Sequence, residues 1–133
     1  MSSHRGVVSG HGPQPTGSYP HAHVHGGVVW VTAQAGRDPG SGELVPGGIE
    51  GQLSQAIDNL DAILEDCDSS LDRVIRTQIM YTDPDDADMI DAVCARRFHA
   101  PPPVRTAWGV KFLAAEPGSE VVRVQIDCVA ELR

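Results

Sequence analysis

Arg105 is the residue best placed to do chemistry. It follows Pro101-Pro102-Pro103 and sits at the second position of a β-rich stretch. Alternation puts Arg105, Ala107, Gly109 and Lys111 on one face of that strand and Val104, Thr106, Trp108, Val110 and Phe112 on the other. The second set is apolar and reads as the core face. The first flanks a guanidinium with small residues, which leaves room for a carboxylate in two-point contact. The competing reading is an arginine on a solvated sheet face, or one that pairs with an acid of the chain. A guanidinium locked to an internal aspartate, or facing bulk solvent with no cavity beside it, would remove the carboxylate role.

The last stretch of the chain alternates in the same way. Val122, Val124, Ile126, Cys128 and Ala130 form its apolar face, and Arg123, Gln125 and Asp127 lie opposite. If the last two strands pair as a hairpin, Arg105 shares a surface with Gln125 or Asp127. A water-exposed sheet face or a polar subunit interface fits the same pattern. His21, His23 and His25 share one strand face at spacings of about 6–7 Å. No cysteine or glutamate stands at ligand spacing from them, so they read as a polar strand face rather than a metal site.

Asp83, Asp85, Asp86 and Asp88 lack the glycine and distal glutamate of a calcium loop and read as helix capping. There is no glycine-rich phosphate loop, no Gly-x-Ser-x-Gly elbow and no His-Glu-x-x-His. Cys67, Cys94 and Cys128 match no zinc or thioredoxin-like spacing, and none has an evident activating neighbour in the sequence. They read as free thiols in a reducing cytoplasm.

The elements that must position these residues follow from periodicity. Residues 1–16 form a loose arm, with a short strand at Gly6–Ser9. His21–His25 and Val28–Ala33 make a hairpin across Gly26-Gly27. Gly36–Gly42 and Pro46-Gly47-Gly48 are loops by composition. Ile49, Leu53, Ala56, Ile57, Leu60, Ile63 and Leu64 recur at helical steps and predict a helix over 48–67, with Gln52, Gln55, Asp58, Asp61 and Asp66 on its polar side. Val74–Tyr81 reads as a strand. Asp83-Pro84 caps a second helix that runs to about Phe98. Val104–Leu113 and Glu120–Leu132 are the final strands, turning at Glu116-Pro117-Gly118. Mixed strands and helices with a hairpin at each end predict an α+β two-layer sandwich.

Composition bounds the rest. A chain of 133 residues, 41% apolar and 21% charged, is one globular domain, 1–133. Its size allows a core without disulfide or metal staples. A net charge of −8 with ten scattered basic residues argues against nucleic acid or an anionic membrane as partner. No apolar run approaches a membrane span, and no signal peptide follows Met1.

Seven pieces in register carry a family resemblance. They are Gly17-Ser18-Tyr19; Val31-Thr32-Ala33-Gln34; Asp38 to Leu44; Gln52 with Asn59-Leu60; Asp72 to Thr77; Pro103-Val104-Arg105-Thr106; and Val124 to Asp127. From about Gly12 to Ala130 the chain resembles the RidA family, also called YjgF or UK114, of reactive-intermediate deaminases. The resemblance implies a chorismate-mutase-like fold, a mixed sheet with two helices on one face, assembled as a homotrimer with clefts between subunits. It implies cofactor-free hydrolysis of small enamines and imines to 2-keto acids and ammonia. Arg105 falls on the family arginine that holds the substrate carboxylate, Tyr19 on its N-terminal tyrosine and Thr32 on its serine. Ala107 leaves room beside the arginine. Three departures stand out. The family glutamate that positions or activates water falls on Gln125, its second-helix asparagine falls on Asp91, and the segment between Phe98 and Arg105 is short. A carboxamide cannot take water's proton, so altered chemistry or a ligand-binding role is the alternative. The ribonuclease activity attributed to the family finds no basic track here.

Overall fold

The computed structural model describes residues 4–113 and 121–133. Strands β1 (Arg5–Val7), β2 (Ala22–His25) and β3 (Val28–Gln34) lead into helix α1 (Gly48–Asp66). Strand β4 (Val74–Tyr81), helix α2 (Ala87–Arg97), and strands β5 (Val104–Gly109) and β6 (Val124–Glu131) follow. Single 3-10 turns at Leu71–Arg73 and Pro84–Asp86 precede β4 and α2. The Glu116-Pro117-Gly118 turn lies outside the described residues. The mixed α+β architecture matches the sequence expectation.

Local chemistry accounts for the elements. Gly26 and Gly27 both take positive φ, 60° and 82°, and turn β2 back onto β3. The Asp83 side chain accepts a hydrogen bond from the Asp85 backbone N–H at 2.9 Å, which caps the turn leading into α2. From Leu53 onward the apolar stripe of α1 is fully buried: Leu53, Ala56, Ile57, Leu60, Ile63 and Leu64 each have 0% exposure. Each of its larger side chains contributes roughly 1.5–3 kcal/mol. They meet Val29, Val31, Val124, Ile126 and Cys128 from one face of the sheet, and Ile90 and Val93 from α2.

Gln52 is not on the solvated side of α1 as expected, but 4% exposed. Its Oε1 accepts from the Arg123 backbone N–H at 2.9 Å and its Nε2 donates to the Val121 carbonyl at 3.1 Å. Asn59, also buried and about two turns further on, donates to the carbonyls of Ala35 and Arg37 at 3.2 and 2.9 Å. The two amides tie the start of β6 and the loop after β3 to the helix.

The sheet order is β1-β2-β3-β6-β4-β5. Every pairing is antiparallel except β4 with β5. The expected hairpin of the last two strands is therefore absent, because β4 lies between them. The physical reason is α2, a helical crossover that returns the chain parallel to β4 on its outer side. β6 takes the inner side.

This register also inverts the expected faces of β5. Thr77 of β4 pairs with Arg105 and with Cys128, and Ile79 pairs with Ala107 and Ile126. Arg105 and Ala107 thus share the helix-covered face. Val104, Thr106 and Trp108 lie on the open face. All six residues of β5 are exposed, Val104 at 68% and Trp108 at 40%. Phe112, past the strand, is 75% exposed. β5 is the sheet's rim, and its apolar side chains face away from the core rather than into it.

Gly36 packs against α1 so closely that a Cβ there would overlap the Gln52 backbone carbonyl. Gly36→Ala is expected to cost about 1–3 kcal/mol by forcing the loop off the helix. A urea melt with a lower midpoint and an unchanged slope checks this.

Candidate functional site

Two cavities contain most of the sequence-expected site residues, and they divide them. The first, of about 490 Å³, is lined by Tyr19, Thr32, Gln34, Arg37 and Gln125 together with the arm segment Pro13–Thr16. The second, of about 320 Å³, is lined by Arg105, Asp91, Thr77, Cys94 and Phe98, together with Pro102 and Pro103. Ala107 lines neither.

Arg105 and Gln125 do not share a surface within one chain. Gln125 pairs with Met80, and Arg105 with Thr77. Met80 lies three positions on from Thr77, an odd step along the strand, so the two side chains leave the sheet on opposite faces. Asp127 is on the Gln125 face, as expected, opposite Gln78 on β4. Burial pushes its carboxyl above the ordinary range, and Arg76 opposes that shift. It lines neither cavity.

Arg105 carries an internal aspartate. Its Nη2 donates to Asp91 Oδ1 at 2.6 Å. Asp91 comes from α2, and the Thr77 register brings Arg105 beneath that helix. The hydrogen bond to Asp91 is the main reason the guanidinium is raised above its usual value. One of the two conditions that count against a carboxylate anchor is therefore met. The other is not, because a cavity adjoins the group. The contact with Asp91 is also single-point and wet, with the side chains of Arg105 and Asp91 exposed at 34% and 70%. Exposed pairs of this kind hold by only about 0–1 kcal/mol. Asp91 takes only Nη2, and the Cys94 thiol is the guanidinium's other side-chain neighbour among the described residues.

Cys94, contrary to the sequence expectation, does have a cationic neighbour in Arg105. Desolvation outweighs it and pushes the thiol up, so the group stays neutral.

The wall of the larger cavity is an anchored segment. His21 is fully buried; its Nδ1 accepts from the Ser9 backbone N–H at 2.9 Å, and its Nε2 meets the Pro13 carbonyl at 2.6 Å. Both ring nitrogens are therefore engaged within the protein. His23 instead meets His4, with their Nδ1 atoms 3.2 Å apart, and His25 is exposed. The three strand histidines do not act as one set. Ser9 Oγ donates to Asp66 Oδ2 at 2.5 Å, and His11 Nδ1 lies 3.0 Å from the same carboxylate.

Arg37 is the lining residue that sequence reasoning missed. It stands in a Gly-Arg-Asp-Pro-Gly run that composition marks only as a loop. Its Nη1 donates to the Gly42 carbonyl at 3.0 Å. An isolated cation in an otherwise turn-forming segment was the available signal.

A family model described as Endoribonuclease L-PSP matches residues 9–132. The 2-iminobutanoate/2-iminopropanoate deaminase of Rattus norvegicus is 32% identical over 118 residues, covering 89% of this chain and 82% of the rat protein. The RutC family protein UK114 of Drosophila melanogaster is 30% identical, over 93% of this chain and 86% of its own. The crystal structure of RidA from an Antarctic Psychrobacter superposes with a TM-score of 0.87 at 27% identity, covering 96% of this chain and 99% of that one.

The Ser9 hydroxyl is the largest influence holding the Asp66 carboxyl below its ordinary value of 3.8. A depressed carboxyl stabilises the fold above its unfolded value, and that contribution fades as pH falls through the depressed one. Ser9→Ala is expected to be less stable than the parent at pH 7, with the gap closing below about pH 3.8. Urea denaturation of both proteins across that range measures it.

Proposed function

This chain belongs to the endoribonuclease L-PSP family, the RidA family, and on that premise we propose that it hydrolyses small 2-imino or enamino acids to 2-keto acids and ammonia. The observation that carries the proposal is Arg105: a guanidinium on the rim strand, against a cavity of about 320 Å³, held by its aspartate at a single point. It would take the substrate carboxylate and stabilise negative charge in the transition state.

Each cavity holds only part of the expected residue set in one chain. The open sheet face, carrying Trp30 at 45% exposure, Trp108 and Val104, is an apolar surface that calls for cover. The reading is therefore a homotrimer, with the Arg105 cavity of one copy completed by Tyr19, Thr32 and Gln125 of the next. Gln125 would orient water, and Tyr19 and Thr32 would shape the cleft. This chemistry needs no cofactor.

A second reading, ligand binding or altered chemistry with little turnover, has its own support. No carboxylate lines the Gln125 cavity among the described residues, and His21, its one imidazole, has both nitrogens engaged. A missing general base typically costs about 10²–10⁴-fold.

Freshly generated 2-iminopropionate is expected to release ammonia faster with the protein than in buffer. Arg105→Ala should lose about 10²-fold in kcat/KM, and Gln125→Glu should gain by about tenfold or more if a base is what the cleft lacks. Absence of release from folded protein, with 2-keto acid binding intact, favours the second reading. Sedimentation equilibrium should give three times the 14.2 kDa chain mass; a monomer removes the shared cleft.

A further inference from the structure

The Arg105 cavity has no net charge. Arg105 contributes +1 and Asp91 −1, and the other lining groups, among them Thr77, Cys94, Phe98 and the two prolines, are neutral. A lone guanidinium selects anions. A guanidinium already neutralised by a carboxylate does not, because an incoming anion must share the cation and approach a like charge. The pair nevertheless presents two complementary unused edges. Arg105 meets Asp91 through Nη2 alone, so Nε and Nη1 stay clear of the carboxylate, with only the weak, neutral Cys94 thiol beside the guanidinium. Asp91 Oδ2 makes no hydrogen bond among the described residues, and its side chain is 70% exposed.

We infer that the Arg105–Asp91 pair is a recognition element for a zwitterion, a carboxylate with a cationic nitrogen on the adjacent carbon, and that Asp91 is the residue that sets this preference. The carboxylate lies on the Arg105 nitrogens and the N–H of the cation donates to Asp91 Oδ2. Each ligand charge finds its opposite, and neither protein charge loses its partner. A 2-iminium acid has this charge pattern.

The inference rests on the proposed hydrolysis for its turnover but not for its binding. In that reaction water adds to the imine carbon, its oxygen becomes the keto oxygen, the C–N bond breaks and nitrogen leaves as ammonium. The 2-keto acid product is a plain anion. It loses the Asp91 contact and faces the aspartate's charge, which favours its departure. Asp91 thus separates substrate from product by the one feature that the reaction removes.

L-alanine and propionate differ only by the ammonium group and isolate this feature. NMR titration of the full chain, following the Arg105 side-chain N–H, is expected to give at least tenfold tighter binding of L-alanine. In Asp91→Asn, which keeps the shape and an acceptor for Nη2, propionate should tighten and L-alanine weaken, each by about tenfold. Arg105→Ala, followed through the backbone amides of Thr77 and Cys94 in the same cavity, should lose both ligands. If propionate binds the parent as well as L-alanine does and Asp91→Asn leaves their ratio unchanged, the zwitterion inference fails while the Arg105 anchor stands. If neither ligand perturbs Arg105 in the parent or in Asp91→Asn, with both proteins folded by their amide spectra, the inference and the anchor fail together.

Discussion

The parallel pairing of β4 with β5 is the constraint on which the site depends. It sets Thr77 opposite Arg105 and so turns the guanidinium toward the helices at the outermost strand. A shift of one residue would send Arg105 to the open face, away from Asp91 and Cys94. The α2 crossover imposes this pairing, since a helix of eleven residues returns the chain parallel and beyond β4 rather than folding β5 back on β6. Arg105 and Gln125 are separated for the same reason: β6 runs on the other side of β4, and the two side chains emerge on opposite faces.

That separation gives the protein two cavities of different character. One holds a charge pair and an otherwise uncharged lining. The other holds hydroxyls, amides and a loop arginine beneath a segment of the N-terminal arm. Its wall is built from the core outward. Asn59 on α1 fixes the loop that carries Arg37, and Asp66 at the end of the same helix receives Ser9 and His11 from the arm. His21, buried between Ser9 and Pro13, spends both ring nitrogens on shaping that wall. An imidazole that could have served as a base is thereby committed to structure.

Electrostatics then narrows what the Arg105 side can recognise. The aspartate that faces Arg105 is too exposed to stabilise the fold appreciably, yet it cancels the charge that would draw in a simple anion. Cys94 adds no charge because desolvation keeps its thiol protonated. The neutral pair leaves geometry and charge order, rather than net potential, to discriminate among ligands.

Much of this was legible in the sequence. The stripe from Leu53 to Leu64 determined α1, the Gly26-Gly27 pair determined the hairpin, Asp83-Pro84 determined the entry to α2, and alternation correctly split the side chains of β5 and β6 into opposite faces. These are local properties, set by the 3.6- and 2-residue periods and by φ preferences. Which face of β5 points at the helices was decided only by tertiary structure, because an apolar row such as Val104, Thr106 and Trp108 looks the same whether a core or another surface covers it. The burial of Gln52, the meeting of Arg105 with Asp91 and Cys94, and the place of Arg37 in a cavity wall were likewise decided only by folding. Each joins residues on different elements, and no spacing along a chain encodes the register at which two elements meet.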